Sequence, residues 1–133
     1  MTAAPHDPVR TLLGRPLVTV AVNDSLRAAA EHLSTELVGA GMVGGARPPA
    51  LLSERDIVVG IAVGADPDTA LVDDVTTDYV VTVSPDDSIL DAATRMLMNE
   101  IRHLPVMEGG EVIGIVSERD LLAVLANAAR AHV

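Results

Sequence analysis

Apolar and polar positions follow the same order twice along the chain, which indicates an internal duplication. A short apolar run at residues 18–20 and another at 80–83 each predict a strand. After each run, apolar residues recur at i, i+3, i+4 and i+7, the spacing of a helix with one buried face. These stripe residues are Leu26, Ala29, Ala30, Leu33 and Leu37 in the first copy, and Ile89, Ala92, Ala93, Met96 and Ile101 in the second.

Two further strands around a turn follow each predicted helix. In the second copy they span residues 104–116, with the turn at 108–110. The corresponding stretch of the first copy, residues 39–49, is rich in Gly and Pro and predicts a shorter hairpin. The sequence Ser-Glu-Arg-Asp then occurs at 53–56 and again at 117–120, each time just before a second predicted helix. Each copy therefore has the element order β-α-β-β-α.

The duplication sets the predicted domain organisation. The copies cover residues 9–65 and 72–128, joined by a linker at 66–71 and flanked by tails at 1–8 and 129–133. Each copy is too small to close a hydrophobic core alone. The sequence thus predicts an α/β (α+β) fold in which the two repeats pack with pseudo-two-fold symmetry, their sheets face to face and their helices outside.

Composition narrows the classes of function. The 133 residues carry a formal net charge of −10, only 1% are aromatic, and Phe and Trp are absent. This composition argues against nucleic-acid binding, because phosphate backbones favour basic faces and base stacking uses aromatic platforms. The absence of Cys rules out disulfides, thiolate metal sites and Cys nucleophiles. Neither a secretory signal nor a membrane-spanning run is visible, so a soluble, cytoplasmic protein without membrane contact is expected.

The Ser-x-x-Asp spacing of residues 53–56 and 117–120 has two interpretations. In a capping box, the Ser side chain accepts a hydrogen bond from the Asp amide and the Asp side chain accepts one from the Ser amide. In a binding site, the helix N-terminus attracts an anion, and Arg55 or Arg119 adds a guanidinium. The Asp carboxylate would then accept hydrogen bonds from the vicinal hydroxyls of a ribose. Phosphate donors beside a ribose acceptor are what a nucleotide requires.

Five residues next to the predicted strands have expected local roles. Gly114 would let a ligand approach its strand closely, and its counterpart Ala50 is nearly as small. Tyr79 precedes the first strand of the second copy and would either cover an adenine or lie on the surface. Asp24 and Asp87 precede the first helix of each copy and are the predicted N-caps.

The sequence predicts no catalytic and no metal-binding residue. His103 has no Ser or Cys nucleophile in a recognisable motif, so a phosphate-facing or solvated His is expected there. Acidic pairs at residues 73–74 and 86–87 would be able to hold a cation, but helix caps and solvated acids explain them more simply. The other histidines share no ligand spacing: His6, His32 and His132.

The second copy resembles a CBS motif. The similarity rests on Val83-x-Pro85, on the run Ile101-Arg102-His103-Leu104-Pro105-Val106, and on Gly114-Ile115-Val116-Ser117-x-x-Asp120. With two copies in order, the chain is similar to a stand-alone tandem CBS pair, the Bateman module, over residues 9–128.

This resemblance implies a nucleotide-binding role for the matching positions. In nucleotide-binding CBS pairs, the residue matching Asp120 holds the ribose hydroxyls and the one matching Ser117 lies beside the ribose and phosphates. Residues matching Arg102, His103 and Arg119 approach the phosphates. The first strand of each copy and an apolar residue of the last strand frame the adenine. The candidate binding residues are Thr19, Val20, Ser53, Arg55, Asp56, Thr82, Val83, Pro85, Arg102, His103, Ile115, Ser117, Arg119 and Asp120.

The first copy departs from this pattern. Its residues 38–41, Val-Gly-Ala-Gly, align with Arg-His-Leu-Pro at 102–105, so the basic pair and the Pro are missing. Residues 21–22, Ala-Val, likewise replace the Ser-Pro of 84–85. Of the two clefts that the resemblance implies, the one that uses Asp120 is therefore the better candidate.

Two hypotheses of function stay open. In the first, a non-enzymatic sensor binds an adenine nucleotide (AMP, ADP or ATP, with or without Mg²⁺) in the cleft between the repeats and signals to a partner protein. NAD and S-adenosylmethionine are the other adenosyl ligands that this hypothesis allows. In the second, the chain is a ligand-free dimerisation or adaptor module whose Ser-x-x-Asp segments are helix caps alone. Neither requires a cofactor, and both include a homodimer, as is common for CBS pairs.

Overall fold

The computed structural model describes residues 3–46, 48–76 and 81–131. The chain divides into two units. Leu17–Val80 forms the first-repeat unit, and Met1–Pro16 together with Val81–Val133 forms the second-repeat unit. The mixed α/β class that the sequence predicts is confirmed, since each unit combines a small sheet with helices. In the described part of the chain, no helix is long and apolar enough to cross a membrane.

The first-repeat unit contains a three-stranded sheet. Its elements are β1 (Thr19–Ala21), α1 (Leu26–Thr35), β2 (Ala40–Gly44), β3 (Leu51–Ser53), α2 (Glu54–Ala62) and α3 (Val72–Val75). Strand β2 is central, parallel to β1 and antiparallel to β3. The helices and sheet enclose a cluster of buried residues: Val20, Ala29, Leu33, Val43, Ala50, Leu52, Ile57 and Val72.

The second-repeat unit is built around a longer hairpin. Its elements are a 3-10 helix (Val9–Leu12), α4 (Ile89–Asn99), β4 (His103–Glu108), β5 (Glu111–Ser117) and α5 (Glu118–Ala131). Gly109 and Gly110 form the turn with φ of 61° and 81°, which glycine adopts without steric cost. Because β2 and β3 are shorter, the predicted difference between the hairpins is confirmed. The buried cluster is Val9, Val83, Ile89, Ala92, Met96, Leu104, Val106, Val116, Leu121 and Val124.

The strand predicted at residues 80–83 is wrong for its described part, which forms a single parallel bridge to β4. The Val83 amide donates to the Pro105 carbonyl at 3.0 Å, and the Val83 carbonyl accepts from the Met107 amide at 2.9 Å. Residue 80 lies outside the described residues.

Pro105 explains why the parallel pairing of Val83 with β4 does not extend towards residue 81. In the first copy, the Met42 amide donates to the Val18 carbonyl at 2.9 Å, next to the β1–β2 ladder. The register of the two hairpins gives Pro105 the position of Met42. Because Pro105 has no N–H, it cannot donate the corresponding hydrogen bond to Val81.

The predicted apolar stripes of α1 and α4 lie in the two cores, except at the end of α1. Leu26 and Ile89 are fully buried, and Ile101 packs against the core beyond α4. The prediction for Leu37 is wrong, because α1 ends at Thr35 and Leu37 is 84% exposed. Leu37 has a φ of 58°, and the equivalent residue Glu100 has a φ of 54°, so both helices end in the left-handed conformation.

The N-caps of α1 and α4 are serines rather than the predicted aspartates. Ser25 accepts from the Ala28 amide at 3.1 Å, and Ser88 accepts from the Asp91 amide at 3.0 Å. The aspartates one residue earlier face backwards along the chain. The Asp24 carboxylate accepts from the amide of residue 21, and the Asp87 carboxylate from that of residue 84, so each closes the turn that leads into its helix.

The opening residues of the two copies, 9–13 and 72–76, are called the lead-ins here, and each packs in the unit formed by the other copy. Val9, the first residue of the first copy, is fully buried in the core of the second-repeat unit, and Val72, the first residue of the second copy, is fully buried in the first-repeat unit. The Val9 amide donates to the Asp87 carbonyl at 2.8 Å, and the Val72 amide donates to the Asp24 carbonyl at 2.9 Å. Each unit therefore contains the lead-in of the other copy.

Candidate functional site

Both Ser-x-x-Asp segments form the junction of a strand with a helix, as the sequence predicts. In the first copy, the Asp56 amide donates to Ser53 Oγ at 3.2 Å, and the Ser53 amide donates to Asp56 Oδ2 at 2.8 Å. In the second copy, the Asp120 amide donates to Ser117 Oγ at 3.2 Å, and the Ser117 amide donates to Asp120 Oδ2 at 2.9 Å. The capping-box interpretation is therefore confirmed at both junctions.

The capping boxes leave part of each carboxylate for other contacts. All hydrogen bonds of Asp56 and Asp120 side chains to described residues use Oδ2, and both residues are half-buried. Arg55 and Arg119, in the first turn of the following helix, are exposed. Each junction thus combines the positive end of a helix dipole, a guanidinium and a carboxylate oxygen.

The β4–β5 hairpin brings the predicted basic pair to the second junction. His103 lies opposite Ser117 in the strand register. The Glu118 amide donates to the Arg102 carbonyl at 2.7 Å, and Arg102 Nε lies 3.6 Å from Glu118 Oε2. The Arg102 side chain is 79% exposed. Within one unit, the fold thus gathers Arg102, His103, Ser117 and Asp120 at the edge where α5 begins.

The structure corrects the alignment of the two junctions by one residue. The Glu54 amide donates to the Gly39 carbonyl at 2.8 Å, the same contact that Glu118 makes with Arg102. Ala40 pairs with Ser53 as His103 pairs with its serine. The basic pair therefore corresponds to residues 39–40, Gly-Ala. The first junction lacks the basic pair in this alignment as well.

The residues expected to frame an adenine are mostly core residues. Val20 and Val83 are 3% and 2% exposed, and Pro85 is fully buried, so their side chains face the cores. The backbone of Val83 is hydrogen-bonded to β4, and the Pro85 carbonyl accepts a hydrogen bond from the Arg10 amide at 3.0 Å. Thr19 is exposed, whereas Thr82 and Ile115 are half-buried.

Arg95 is a residue that the sequence did not single out. Its Nη1 donates to the Thr82 carbonyl at 2.9 Å and to Asp87 Oδ2 at 3.1 Å, so it fixes the stretch that contains Val83 and Pro85. The duplication gave no signal for this contact, because His32 stands at the equivalent position of the first copy.

Gly114 does not leave room for a ligand, so that expectation is wrong. A β-carbon at this position would lie 2.8 Å from Leu13 Cδ2, which belongs to the same unit. The counterpart Ala50 is buried in the first-repeat core. The space beside each small residue is therefore filled by the chain itself.

The acidic pairs serve the backbone and the arginines. Asp74 Oδ2 accepts from the Leu71 amide at 2.9 Å, and Asp86 Oδ1 lies 3.1 Å from Arg10 Nη2. Among residues 3–46, 48–76 and 81–131, no group of His, Asp and Glu side chains is arranged to hold a metal ion. Tyr79 and His132 lie outside the described residues.

A surface groove of about 430 Å³ lies between α1 and α2. None of the candidate binding residues lines it. Its walls are formed by Leu26, Arg27, Ala30, Glu31, Ser34, Thr35, Ile57, Ile61 and Pro67.

Comparisons with known proteins agree on one family. A sequence model described as CBS domain matches residues 72–127. Hypoxic response protein 1 of Mycobacterium tuberculosis is 30% identical over 84% of this chain and 80% of its own length. The uncharacterized protein MJ1225 of Methanocaldococcus jannaschii is 28% identical over 92% of this chain, which spans only 44% of that relative.

A solved structure covers nearly the same length. The CBS domain protein PAE2072 from Pyrobaculum aerophilum, complexed with AMP, is 30% identical, with a TM-score of 0.79 over 92% of this chain and 98% of its own. The order of elements, the duplicated junctions and these similarities lead to the same conclusion. The chain belongs to the CBS domain family.

Proposed function

We propose that the chain is a non-enzymatic regulatory module that binds an adenine nucleotide and passes the signal to a partner protein. The observation that carries the proposal is the second-copy junction, where His103 of β4 pairs with Ser117 and the preceding Arg102 is hydrogen-bonded to the Glu118 amide. The AMP complex of PAE2072, a relative of the same length class, supports the choice of an adenine nucleotide.

The chemistry of this junction suits a nucleotide. Two of the first three amides of α5 are already hydrogen-bonded, that of Glu118 to the Arg102 carbonyl and that of Asp120 to Ser117 Oγ. The partial positive charge of the helix N-terminus still favours a phosphate nearby. The exposed guanidinium groups of Arg102 and Arg119 add charge-assisted hydrogen bonds to phosphate oxygens. Asp120 keeps its orientation through the capping box and offers Oδ1 to the ribose hydroxyls.

The remaining candidate residues complete the proposed site. Thr82, Val83, Pro85 and Ile115 frame the base, through their backbone where the side chain is buried. The first-copy set forms the weaker site because Gly39 and Ala40 replace the basic pair. That set is Thr19, Val20, Ser53, Arg55 and Asp56.

Nucleotide binding would act through populations of conformers rather than through chemistry. A ligand shifts such an equilibrium only by its differential affinity for the two states. The readout requires a partner surface, and exposed apolar helix residues supply one suited to a homodimer. These include Val58 at 64%, Leu97 at 80% and Leu122 at 56% exposure. Sedimentation as a monomer at working concentration would contradict the homodimer.

A ligand-free dimerisation or adaptor module is the second candidate function. One observation favours it: both Ser-x-x-Asp segments satisfy their backbone groups within the chain, so helix capping alone accounts for them. In that case neither junction would have a ligand, and the exposed apolar helix residues would be the working surface.

Thermal unfolding with and without nucleotide separates the two functions. Protein stripped of bound ligand is scanned with millimolar AMP, ADP, ATP, NAD and S-adenosylmethionine, with and without Mg²⁺. A ligand at about 100 times its dissociation constant adds about 2.7 kcal/mol, which shifts the midpoint of this small protein by several degrees. An absent shift with all five ligands would favour the adaptor.

The variants Asp120→Ala and Asp56→Ala form a matched pair. Each removes one capping-box acceptor, so each lowers the free energy of unfolding by about 1 kcal/mol. The proposal expects the ligand-induced shift to disappear in Asp120→Ala and to persist in Asp56→Ala. Equal loss in both variants would indicate a general effect of destabilisation rather than a contact with the ligand.

A further inference from the structure

We propose that Glu118 sets the charge preference of the second-copy junction, so that the site favours a nucleoside monophosphate over a triphosphate. This inference rests on the proposed nucleotide-binding function. It concerns a residue of the duplicated Ser-Glu-Arg-Asp segment to which the capping box gives no side-chain role.

Glu118 contacts Arg102, a candidate phosphate-binding residue, through both its backbone and its side chain. Its amide donates to the Arg102 carbonyl at 2.7 Å, so the two residues cannot move apart without breaking a backbone hydrogen bond. Its Oε2 lies 3.6 Å from Arg102 Nε. A phosphate that binds this guanidinium therefore arrives within a few ångströms of a carboxylate.

The ion pair is easily exchanged, because both side chains are exposed. The Arg102 side chain is 79% exposed and that of Glu118 is 52% exposed. Solvent-exposed pairs of this kind contribute little to stability. A phosphate oxygen is therefore able to replace the Glu118 carboxylate as the partner of Arg102, but the displaced negative charge stays nearby.

The consequence depends on the charge of the ligand. Coulomb repulsion between Glu118 and the ligand grows with each phosphoryl group that lies near it. The chain as a whole carries a formal net charge of −10, which adds to the repulsion at low ionic strength. Glu118 thus disfavours ATP more than AMP, and ADP lies between them.

The first copy supplies a matched control at Glu54. Like Glu118, Glu54 is the first residue of its helix and donates its amide to a carbonyl, that of Gly39, at 2.8 Å. Gly39 has no side chain, so Glu54 faces no guanidinium at this position. Glu54→Gln therefore removes the same formal charge at the same helix position as Glu118→Gln, and among the described residues Glu54 has no ion pair with an arginine to lose.

The test is calorimetric titration of wild type, Glu118→Gln and Glu54→Gln with AMP, ADP and ATP in the absence of divalent cations. We expect Glu118→Gln to raise the affinity for ATP by about tenfold and that for AMP by about threefold, because the repulsion that the substitution removes is larger for the triphosphate. Glu54→Gln should change each affinity by less than about twofold. High salt should reduce the effect, because exposed charges are screened.

Each outcome decides between the two proposals. Equal effects of Glu118→Gln and Glu54→Gln, an unchanged ratio of ATP to AMP affinity, or weaker binding by Glu118→Gln would overturn the role of Glu118 and leave nucleotide binding intact. Failure of wild type and both variants to bind any of the nucleotides would overturn the proposed function together with this inference. Thermal unfolding without ligand confirms that both variants are folded.

Discussion

Leu13 fills the space that Gly114 leaves by lacking a β-carbon, since Leu13 Cδ2 lies 2.8 Å from where that carbon would be. The first-repeat unit has a related contact, in which Val75 Cγ1 lies 2.8 Å from the β-carbon position of Gly60. Both occupants belong to lead-ins, Leu13 to that of the first copy and Val75 to that of the second. In each unit, a glycine thus leaves the room in which a side chain of the lead-in packs.

A side chain at residue 114 should loosen the N-terminal lead-in. We expect Gly114→Ala to lower the free energy of unfolding by about 1 kcal/mol, because Leu13 must shift, although its flexible end limits the cost. In a double-mutant cycle with Leu13→Ala, the combined loss should be about 1 kcal/mol smaller than the sum of the single losses. Denaturant unfolding measures all four proteins. Strict additivity would show that the two residues do not share this space.

The crossed packing of the lead-ins predicts which unit each core substitution weakens. Val9→Ala should destabilise the second-repeat unit and Val72→Ala the first, each by about 2 kcal/mol, because both residues are fully buried. Hydrogen exchange resolves the effect by segment. Val9→Ala should reduce protection in β4 and β5, and Val72→Ala should reduce it in β2 and β3. The reverse assignment would contradict the crossed packing.

The left-handed residue after α1 should be improved by glycine. Leu37 has a φ of 58° and is 84% exposed, so Leu37→Gly relieves backbone strain and removes little packing. The expected gain in the free energy of unfolding is about 0.5 to 1 kcal/mol. Leu97 is 80% exposed but lies inside α4, so Leu97→Gly should cost about 1 kcal/mol. A loss in both variants would argue against strain at Leu37.

The ion pair of Arg27 with Asp68 predicts a contribution to stability that fades in acid. The hydrogen bond from Arg27 lowers the pKa of Asp68, and the partial desolvation of the carboxyl opposes this. A carboxyl whose pKa is lower when folded adds stability above its unfolded pKa of about 3.9 and loses it as pH falls through the folded pKa. The difference in the free energy of unfolding between wild type and Asp68→Asn should therefore be constant above about pH 5 and vanish in stronger acid.

Arg27→Gln provides the control for this pH dependence. It removes the partner that lowers the pKa of Asp68. The difference in the free energy of unfolding between Arg27→Gln and the double variant with Asp68→Asn should therefore depend very little on pH. Both side chains are more than half exposed, so the effect is small and low ionic strength is needed to measure it. Urea unfolding between pH 2 and pH 7 is suitable. If the difference in the free energy of unfolding between wild type and Asp68→Asn grew as pH fell, the predicted lowering of the Asp68 pKa would be wrong.

The sequence predicted elements well where one physical signal decides the local structure. The predicted stripes as far as Leu33 and Met96, the Gly109-Gly110 turn and both capping boxes depend on neighbours along the chain, and these are confirmed. Asp24 and Ser25 show the limit of such signals. Both residue types are good N-caps, and only the backbone path decides that the serine faces the helix.

Features that depend on distant partners were not predictable. The repeat aligns Val9 with Val72 but carries no information on which unit either residue enters. Pro105 prevents extension of a ladder through a contact that becomes visible only with the strand register. For the site, the sequence predicted the junctions and the asymmetry of the basic pair. It gave no indication of Arg95 or of the carboxylate of Glu118 beside Arg102.

The crossed lead-ins bear on how such a chain can be divided or assembled. A polypeptide holding one copy with its own lead-in would reproduce this packing only by exchanging lead-ins with a second identical polypeptide. Fusion of the two copies turns that exchange into an intramolecular event, so its strength no longer depends on protein concentration. A fragment cut at residue 72 loses Val9, and a fragment ended at residue 65 loses Val72. Neither copy alone therefore contains a complete core, and neither is suited to transfer into another protein as a separate domain.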